Sequence, residues 1–353
     1  MQKGSAYTGK LAPGCIMCQK GAKLVLLITG RCMKRCYYCP LSAKKKGKDF
    51  IFANELRVRS LDEIIGEAEL IDALGTGITG GDPLLSIDRT VDAIRMLKKH
   101  FGDDHQIHLY TSTTDTKRID KVARAGLDEI RFHPTPVIWR RLDRSMFAPA
   151  TKLAMKRGMV TGLEIPSLPG YEDGLEAAIM FADDSGLDFV NLNELEVSET
   201  NWQALRTRGF DFKDDASSGI AGSEELALEL LRMDVSVPIH YCSSAFKDGV
   251  QLRNRITRRA RNVRRPHEIL TNDSTLLKGV IETKDIGGTM EMLRQRFEVP
   301  RRLMFVDLEK KRLEIAAWVL EEIAGELELE SFIVEEYPTA DRLEVERSPL
   351  KRR

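Results

Sequence analysis

Six short runs rich in apolar and β-branched residues, Leu24 to Thr29, Leu74 to Thr79, Gln106 to Thr111, Asp128 to Phe132, Met159 to Ile165 and Asp188 to Leu192, are separated by stretches of helical periodicity. This alternation restricts the fold most, because a strand, a crossover helix and a second strand in one sheet pack as parallel, right-handed units. Helices are expected over Ser60 to Ala73, with Ser60 as N-cap and Glu63 completing a capping box, over Ile87 to His100 and over Asp115 to Ala125, stopped by Gly126. Two more are expected over Ser145 to Arg157 and Tyr171 to Ser185. Six such units close only part of a barrel, so the expected fold class is α/β, a partial (β/α)6 TIM-like barrel. From about residue 270 the pattern changes to strands at Leu276 to Ile281, Arg302 to Val306 and Ser331 to Glu336. A long helix is expected over Lys311 to Glu326, with Leu313, Ala316, Ala317, Leu320 and Ile323 as its buried stripe. The expected domains are an N-terminal extension (1–22), the barrel (23–245), an arginine-rich connector (246–270) and a small α+β appendage (271–353).

Directly after the first strand, three cysteines crowd one loop, Cys32-Met-Lys-Arg-Cys36-Tyr-Tyr-Cys39-Pro40. Three thiolates on one short loop can ligate three corners of a cuboidal iron–sulfur cluster and leave the fourth iron open for chemistry. Structural zinc more often takes paired Cys-x2-4-Cys knuckles that supply four ligands. Disulfides are less expected, since the chain has six cysteines in 353 residues and its first ten residues lack the apolar core of a secretory signal. A second motif, Thr79-Gly80-Gly81-Asp82-Pro83, closes the second strand. Glycines there let a ligand approach the backbone without a Cβ in the way.

The Cys-x3-Cys-x2-Cys spacing, with the aromatic Tyr38 before the last cysteine, resembles the signature of the radical S-adenosylmethionine (SAM) superfamily. The resemblance covers roughly residues 20 to 200 and leans toward the pyruvate formate-lyase-activating-enzyme-like group. It implies a [4Fe–4S] cluster on Cys32, Cys36 and Cys39, with SAM chelated at the open iron. It also implies an electron donor such as ferredoxin or flavodoxin, and reductive cleavage to a 5′-deoxyadenosyl radical that takes hydrogen from a substrate. The Gly-Gly-Glu-Pro stretch of that superfamily bonds the amino group of SAM, which makes Gly80, Gly81 and Asp82 candidates, with Asp in place of Glu. Tyr38 would lie along the adenine edge. Leu163-Glu-Ile-Pro-Ser-Leu-Pro-Gly170 partly resembles the segment near ribose and adenine, which places Ile165 and Pro166 against adenine.

Active sites of such barrels lie at the carboxyl ends of the strands. His133, Glu164 and Glu194 are the catalytic candidates there, and each could instead be a satisfied structural residue. Asn191 and Asn193 alternate by two and share one face, toward either SAM ribose or substrate. Cys15-Ile-Met-Cys18 and His240-Tyr-Cys242, the latter after an expected strand Val235 to Ile239, have the ligand types of a second site. It could hold zinc or a second iron–sulfur cluster, or the cysteines could be unrelated and buried.

The 54 basic and 54 acidic residues cancel, so no global charge favours nucleic acid or a membrane surface. No apolar stretch approaches the roughly 20 residues of a membrane span, free thiols at this count suit a reducing cytoplasm, and a cluster with an open iron suggests an oxygen-poor setting. Locally, Arg253 to Arg265 holds seven arginines in thirteen residues. These could grip RNA phosphates or form a solvated helix face, and no aromatic among them signals base stacking. Three readings remain open: radical modification of a protein or peptide, radical modification of RNA, and a non-catalytic iron–sulfur or zinc module that binds RNA.

Overall fold

The computed structural model describes residues 1–215 and 217–350. Contacts divide the chain into two compact units, 1–254 and 255–353. In the first unit the N-terminal helix α1 (Pro13–Gln19) precedes the strand β1 (Lys23–Thr29). There follow α2 (Leu61–Glu69), β2 (Gly75–Gly80), α3 (Ile87–Phe101), β3 (Gln106–Thr111), α4 (Thr116–Ala125), β4 (Glu129–Phe132) and α5 (Phe147–Lys156). The unit continues with β5 (Val160–Ser167), α6 (Glu172–Asp184), β6 (Phe189–Glu194), α7 (Ser223–Leu230) and β7 (Ile239–Cys242). The strands lie in the order β7-β6-β5-β4-β3-β2-β1, all parallel. Both edges are covered: Ala6–Tyr7 pairs antiparallel with β7, and the hairpin of Ile51–Ala53 and Leu56–Val58 pairs beside β1.

Period-two alternation sorts each strand between two environments. Ile107 and Leu109, Ile130 and Phe132, Leu163 and Ile165, Val190 and Leu192, and Ile239 and Tyr241 all belong to the main hydrophobic core. Their neighbours His108 and Tyr110, Arg131, Glu164 and Pro166, Asn191 and Asn193, and His240 and Cys242 line the barrel cavity. Each buried aliphatic or aromatic side chain contributes about 1.5–3 kcal/mol, which is what holds the polar residues of the other face in place.

Four details differ from expectation. The barrel has seven parallel strands, because Ile239–Cys242, rather than Val235 to Ile239, joins the sheet. The backbone N–H groups of Ser236 and Val237 donate instead to Asp183 at 2.9 and 2.8 Å, and Pro238 has none to give. The capping box is not made: Ser60 makes no cap bond, and Glu63 accepts from the N–H of Arg59, one residue before the N-cap, at 2.6 Å. The segment 246–270, expected as a connector, is helical over Lys247–Leu252 and Arg253–Val263, and the boundary between the units falls within the second helix, after residue 254.

The fourth difference lies in the second unit, an antiparallel sheet ordered Met304–Asp307, Arg312–Ile315, Leu276–Glu282, Glu330–Glu336, Glu344–Pro349. The helix expected over Lys311 to Glu326 is a strand followed by the helix Ala317–Ile323. Lys311, at φ 52°, turns the hairpin, and the strand then buries Arg312 and Glu314 on one face and Leu313 and Ile315 on the other. Apolar positions at Leu313 and Ala317 fit either period, so sequence spacing alone does not separate them.

Candidate active site

The cysteine loop leaves β1 through Thr29-Gly30 and folds over the carboxyl end of the barrel. Gly30 has no room for a Cβ, because the Lys45 carbonyl packs against it. The loop is held from below by the Gly-Gly turn: the Gly81 N–H donates to the Thr29 carbonyl at 2.7 Å and the Asp82 N–H to the Arg31 carbonyl at 2.8 Å. The carbonyl oxygens of such a turn are acceptors of the kind an ammonium group needs. From the side it is braced by 198–201. Asn201 Nδ2 donates to the Tyr38 carbonyl at 3.0 Å and to the Glu196 carbonyl at 2.8 Å, and Thr200 Oγ1 donates to the Leu41 carbonyl at 2.9 Å.

The turn itself is locked by Asp82. Its carboxylate accepts from the Leu84 N–H (3.1 Å), Thr111 Oγ1 (2.8 Å), the Ser112 N–H (3.2 Å) and Thr113 Oγ1 (2.8 Å). The shorter aspartate therefore works as a clasp between the ends of β2 and β3. Gly80 sits at φ 146°, where a side chain would be strained.

Cys32, Cys36 and Cys39, Gly80, Gly81, Tyr38, His133, Glu164, Pro166, Asn191, Asn193 and Glu194 all line one cavity of about 590 Å³. That volume lies within the range of small-molecule sites. Burial raises the Cys32 and Cys36 thiols, so a bound metal, not the loop, must draw off their protons. The donor set fits a cluster: three sulfurs from one loop at a cavity mouth, above a turn with no Cβ.

The catalytic candidates are each spoken for. His133 is bonded on both ring nitrogens, to the Glu164 carbonyl at 2.7 Å and Tyr38 Oη at 3.1 Å, and burial lowers its pKa. Glu164 accepts from Arg131 Nη1 at 2.9 Å, Asn191 Nδ2 at 2.7 Å and Asn193 Nδ2 at 2.5 Å. Glu194 accepts from the Ser244 N–H at 2.7 Å and pairs with Lys213 at 2.6 Å. These contacts fix all three side chains in place. Ile165 is a correction: it lies on the outer face of β5 in the hydrophobic core, while Pro166 lines the cavity.

Arg131 and Asn201 escaped the sequence analysis. Arg131 is 2% exposed, inside the barrel, and pairs with Glu129 (Nε to Oε1, 2.6 Å) as well as Glu164. Its signal was present, since charges at 129 and 131 alternate with Ile130 and Phe132 in a strand that should be buried on both faces. Asn201 had no such signal, as Ser198-Glu-Thr-Asn201 reads as an ordinary turn.

Cys15 and Cys18, on α1, and His240 and Cys242, on β7, line the same cavity. No three of their donor atoms lie within 4.8 Å of one another. Among the described residues the trio that does is His267, Glu268 and Glu314 in the second unit. There Lys278 Nζ lies 2.7 Å from Glu268 and 3.4 Å from Glu314, and Arg312 lies 2.8 Å from Glu314, so the cluster is a buried ion-pair network whose cations are its own side chains.

The radical SAM superfamily matches residues 26–135, and a domain of unknown function, DUF8061, matches residues 274–350. A protein of Methanocaldococcus jannaschii, "Putative glycyl-radical enzyme activating enzyme", is 41% identical over 360 residues, 97% of this chain and 93% of that one. This chain is a radical SAM enzyme. It belongs to the activating-enzyme-like group of that superfamily, whose members bind SAM and a [4Fe–4S] cluster. Among solved structures, SuiB of Streptococcus suis bound to S-adenosylmethionine is 12% identical, with 63% of this chain and 50% of that chain covered and a TM-score of 0.42. Methylornithine synthase (PylB) is 15% identical, with 59% and 61% covered and a TM-score of 0.41. The radical SAM chain thus spans half to three fifths of the length of these two solved chains. None of its helices is long and apolar enough to cross a membrane among the described residues.

Proposed function

We propose that the chain is an activating enzyme whose substrate is a protein or peptide, with Cys32, Cys36 and Cys39 as the ligands of its [4Fe–4S] cluster. The observation that carries the site is the seating of the cysteine loop on the Gly80-Gly81-Asp82 turn, with three thiols and the turn facing one cavity. The name of the M. jannaschii relative supports a protein substrate. When bound, the cluster and SAM supply the reductive cleavage that yields methionine and a 5′-deoxyadenosyl radical, with the electron from a donor such as ferredoxin or flavodoxin.

The chain's own part is to place and to exclude. Gly80 and Gly81 offer carbonyls to the SAM ammonium group, and Asp82 keeps the turn rigid. Tyr38, held by His133, and Pro166 flank the adenine, and Asn193 with Asn191 stands at the ribose, both aligned by Glu164. The nonpolar walls keep water from a reactive radical. RNA is the weaker substrate class. Within the arginine run, Arg259 is 8% exposed and donates to the Pro338 carbonyl, and Arg265 stacks 3.6 Å over Phe305. Those two are engaged in holding structure and leave fewer cations for phosphate.

The test is anaerobic reconstitution with iron and sulfide, then dithionite and SAM, with 5′-deoxyadenosine measured in wild type and in the Cys32/Cys36/Cys39→Ala variant. Cysteine-dependent product is expected. An intact cluster that yields none overturns the enzymatic reading and favours a binding module. A glycyl-radical protein from the same cell should then gain an EPR-detectable radical; transfer to RNA alone would refute the protein substrate.

A further inference from the structure

The lower half of the barrel cavity carries donors that SAM cleavage does not use. Helix α1 presents Cys15 and Cys18, three residues apart and so on one helix face. Strand β7 presents His240 and Cys242, two residues apart and so on its inner face. Cys15 (8% exposed), Cys242 (5%) and His240 (5%) are buried, and all four side chains line the cavity. Cys15 Sγ lies 3.9 Å from Asn191 Oδ1, the same oxygen that His240 Nδ1 bonds, so α1 and β7 bring donors to one place in the cavity.

The imidazole is set for ligation by its neighbours. Glu164, a pure acceptor when ionised, takes the Asn191 Nδ2 hydrogens at 2.7 Å, which turns the Asn191 carbonyl oxygen toward His240. His240 Nδ1 bonds that oxygen and must be the protonated nitrogen. Its Nε2 is left as a bare lone pair, buried and without a hydrogen-bond partner. An imidazole whose far nitrogen is fixed by a hydrogen bond is the usual arrangement of a metal-ligating histidine. Arg131 Nη2 stands 3.2 Å from Cys15 Sγ and fixes that side chain against the cavity wall.

We propose that Cys15, Cys18, Cys242 and His240 Nε2 hold a second iron–sulfur cluster inside the barrel, separate from the cluster of the Cys32 loop. A cluster is favoured over one zinc ion because no three of these donor atoms gather within 4.8 Å, and a tetrahedral zinc would need them around one point. A polynuclear cluster takes each ligand on a different iron and accepts them spread around the cavity wall. This inference does not rest on the protein substrate proposed above.

The experiment is metal and labile-sulfide analysis, with EPR, on the full chain purified anaerobically. The Cys32/Cys36/Cys39→Ala variant, altered only on a partly exposed loop, should keep about half the wild-type iron and sulfide. Adding Cys15→Ala and Cys242→Ala to the loop variant should remove the remainder, whereas adding His240→Ala alone to the loop variant should change the EPR g-values of the cluster it retains. Because Cys15 and Cys242 are buried, Cys18→Ser in the loop variant gives a gentler test and should speed iron loss to a chelator at least tenfold. The proposal is overturned if the loop variant melts like wild type yet holds no iron and sulfide. It is equally overturned by one zinc without sulfide, or by an iron-loss rate that Cys18→Ser leaves unchanged.

Discussion

The Gly81→Ala substitution tests whether the cysteine loop and the SAM turn act as one rigid piece. A Cβ on Gly81 would stand 2.7 Å from the Gly30 carbonyl oxygen and closer still to the Arg31 carbonyl. Comfortable contact needs about 3.5 Å, so the loop must lift from the turn by about 1 Å. Overpacking of that kind costs roughly 1–3 kcal/mol in stability and weakens the 2.8 Å bond from the Asp82 N–H to the Arg31 carbonyl. The larger effect should be catalytic, because a misplacement of about 1 Å can cost on the order of 100-fold in rate. The assay is 5′-deoxyadenosine formation per bound cluster, with SAM varied, after iron and sulfide content has been matched to wild type. Gly66→Ala is the control: its Cβ meets nothing within 4 Å on α2, and the change should stabilise by about 0.5–1 kcal/mol. If Gly81→Ala retains cleavage within threefold of wild type while its cluster is intact, the turn does not position SAM and the argument fails.

Three further outcomes are expected. Asn201→Ala removes the donor to the Tyr38 and Glu196 carbonyls; iron release to a chelator should accelerate several-fold, and an unchanged rate would show that the loop needs no brace. Lys278→Met leaves Glu268, Glu314 and Glu336 without their shared buried cation and should cost about 3–5 kcal/mol in urea denaturation of the full chain. Burial alone would raise Glu314, but His267, Lys278 and Arg312 hold it well below the usual carboxylate range, and Glu336 is likewise depressed despite burial by Lys278 and Lys310. A depressed folded value means the unfolded chain binds more protons in acid, so this stability is fully present above about pH 4.3 and lost as pH falls further. A denaturation midpoint that stays flat from pH 6 to 3 would contradict it.

The cofactor end of the barrel was legible because its determinants are linear. The spacing of Cys32, Cys36 and Cys39 and the Gly80-Gly81 pair can be read without a partner strand. Asn191 and Asn193 could be assigned a common face for the same reason. What joins them was not legible, because it depends on register: Glu164 stands beside Asn191, and Asn191 beside His240, only through the pairing of β5 with β6 and of β6 with β7. The placement of His240 within β7 also depended on Pro238 ending the loop before it. In the second unit, the helix expected through Leu313 failed because Arg312 and Glu314 are drawn inward by an ion network whose other members lie far off in sequence.

That register chain gives Glu164 a role that a polar residue at a strand end does not by itself suggest. Its carboxylate neutralises Arg131, aligns both asparagines and, through Asn191, sets which nitrogen of His240 is bare. Glu164→Gln separates positioning from acid–base catalysis. A glutamine oxygen can keep the two asparagine bonds, but its amide hydrogens would then face the Arg131 guanidinium, and that buried cation would keep Glu129 alone as counter-charge. Removing one partner of a buried pair costs about 3–5 kcal/mol, and the remaining carboxylate should limit the loss to the lower end of that range. Cleavage of SAM per bound cluster should fall less than about tenfold. A general acid or base would behave in the opposite way, with stability nearly unchanged and the rate down by about 100- to 10,000-fold. Urea denaturation and single-turnover 5′-deoxyadenosine formation on the same preparation distinguish the two. The first result is expected, because both oxygens of Glu164 already accept from side-chain donors that it holds in place.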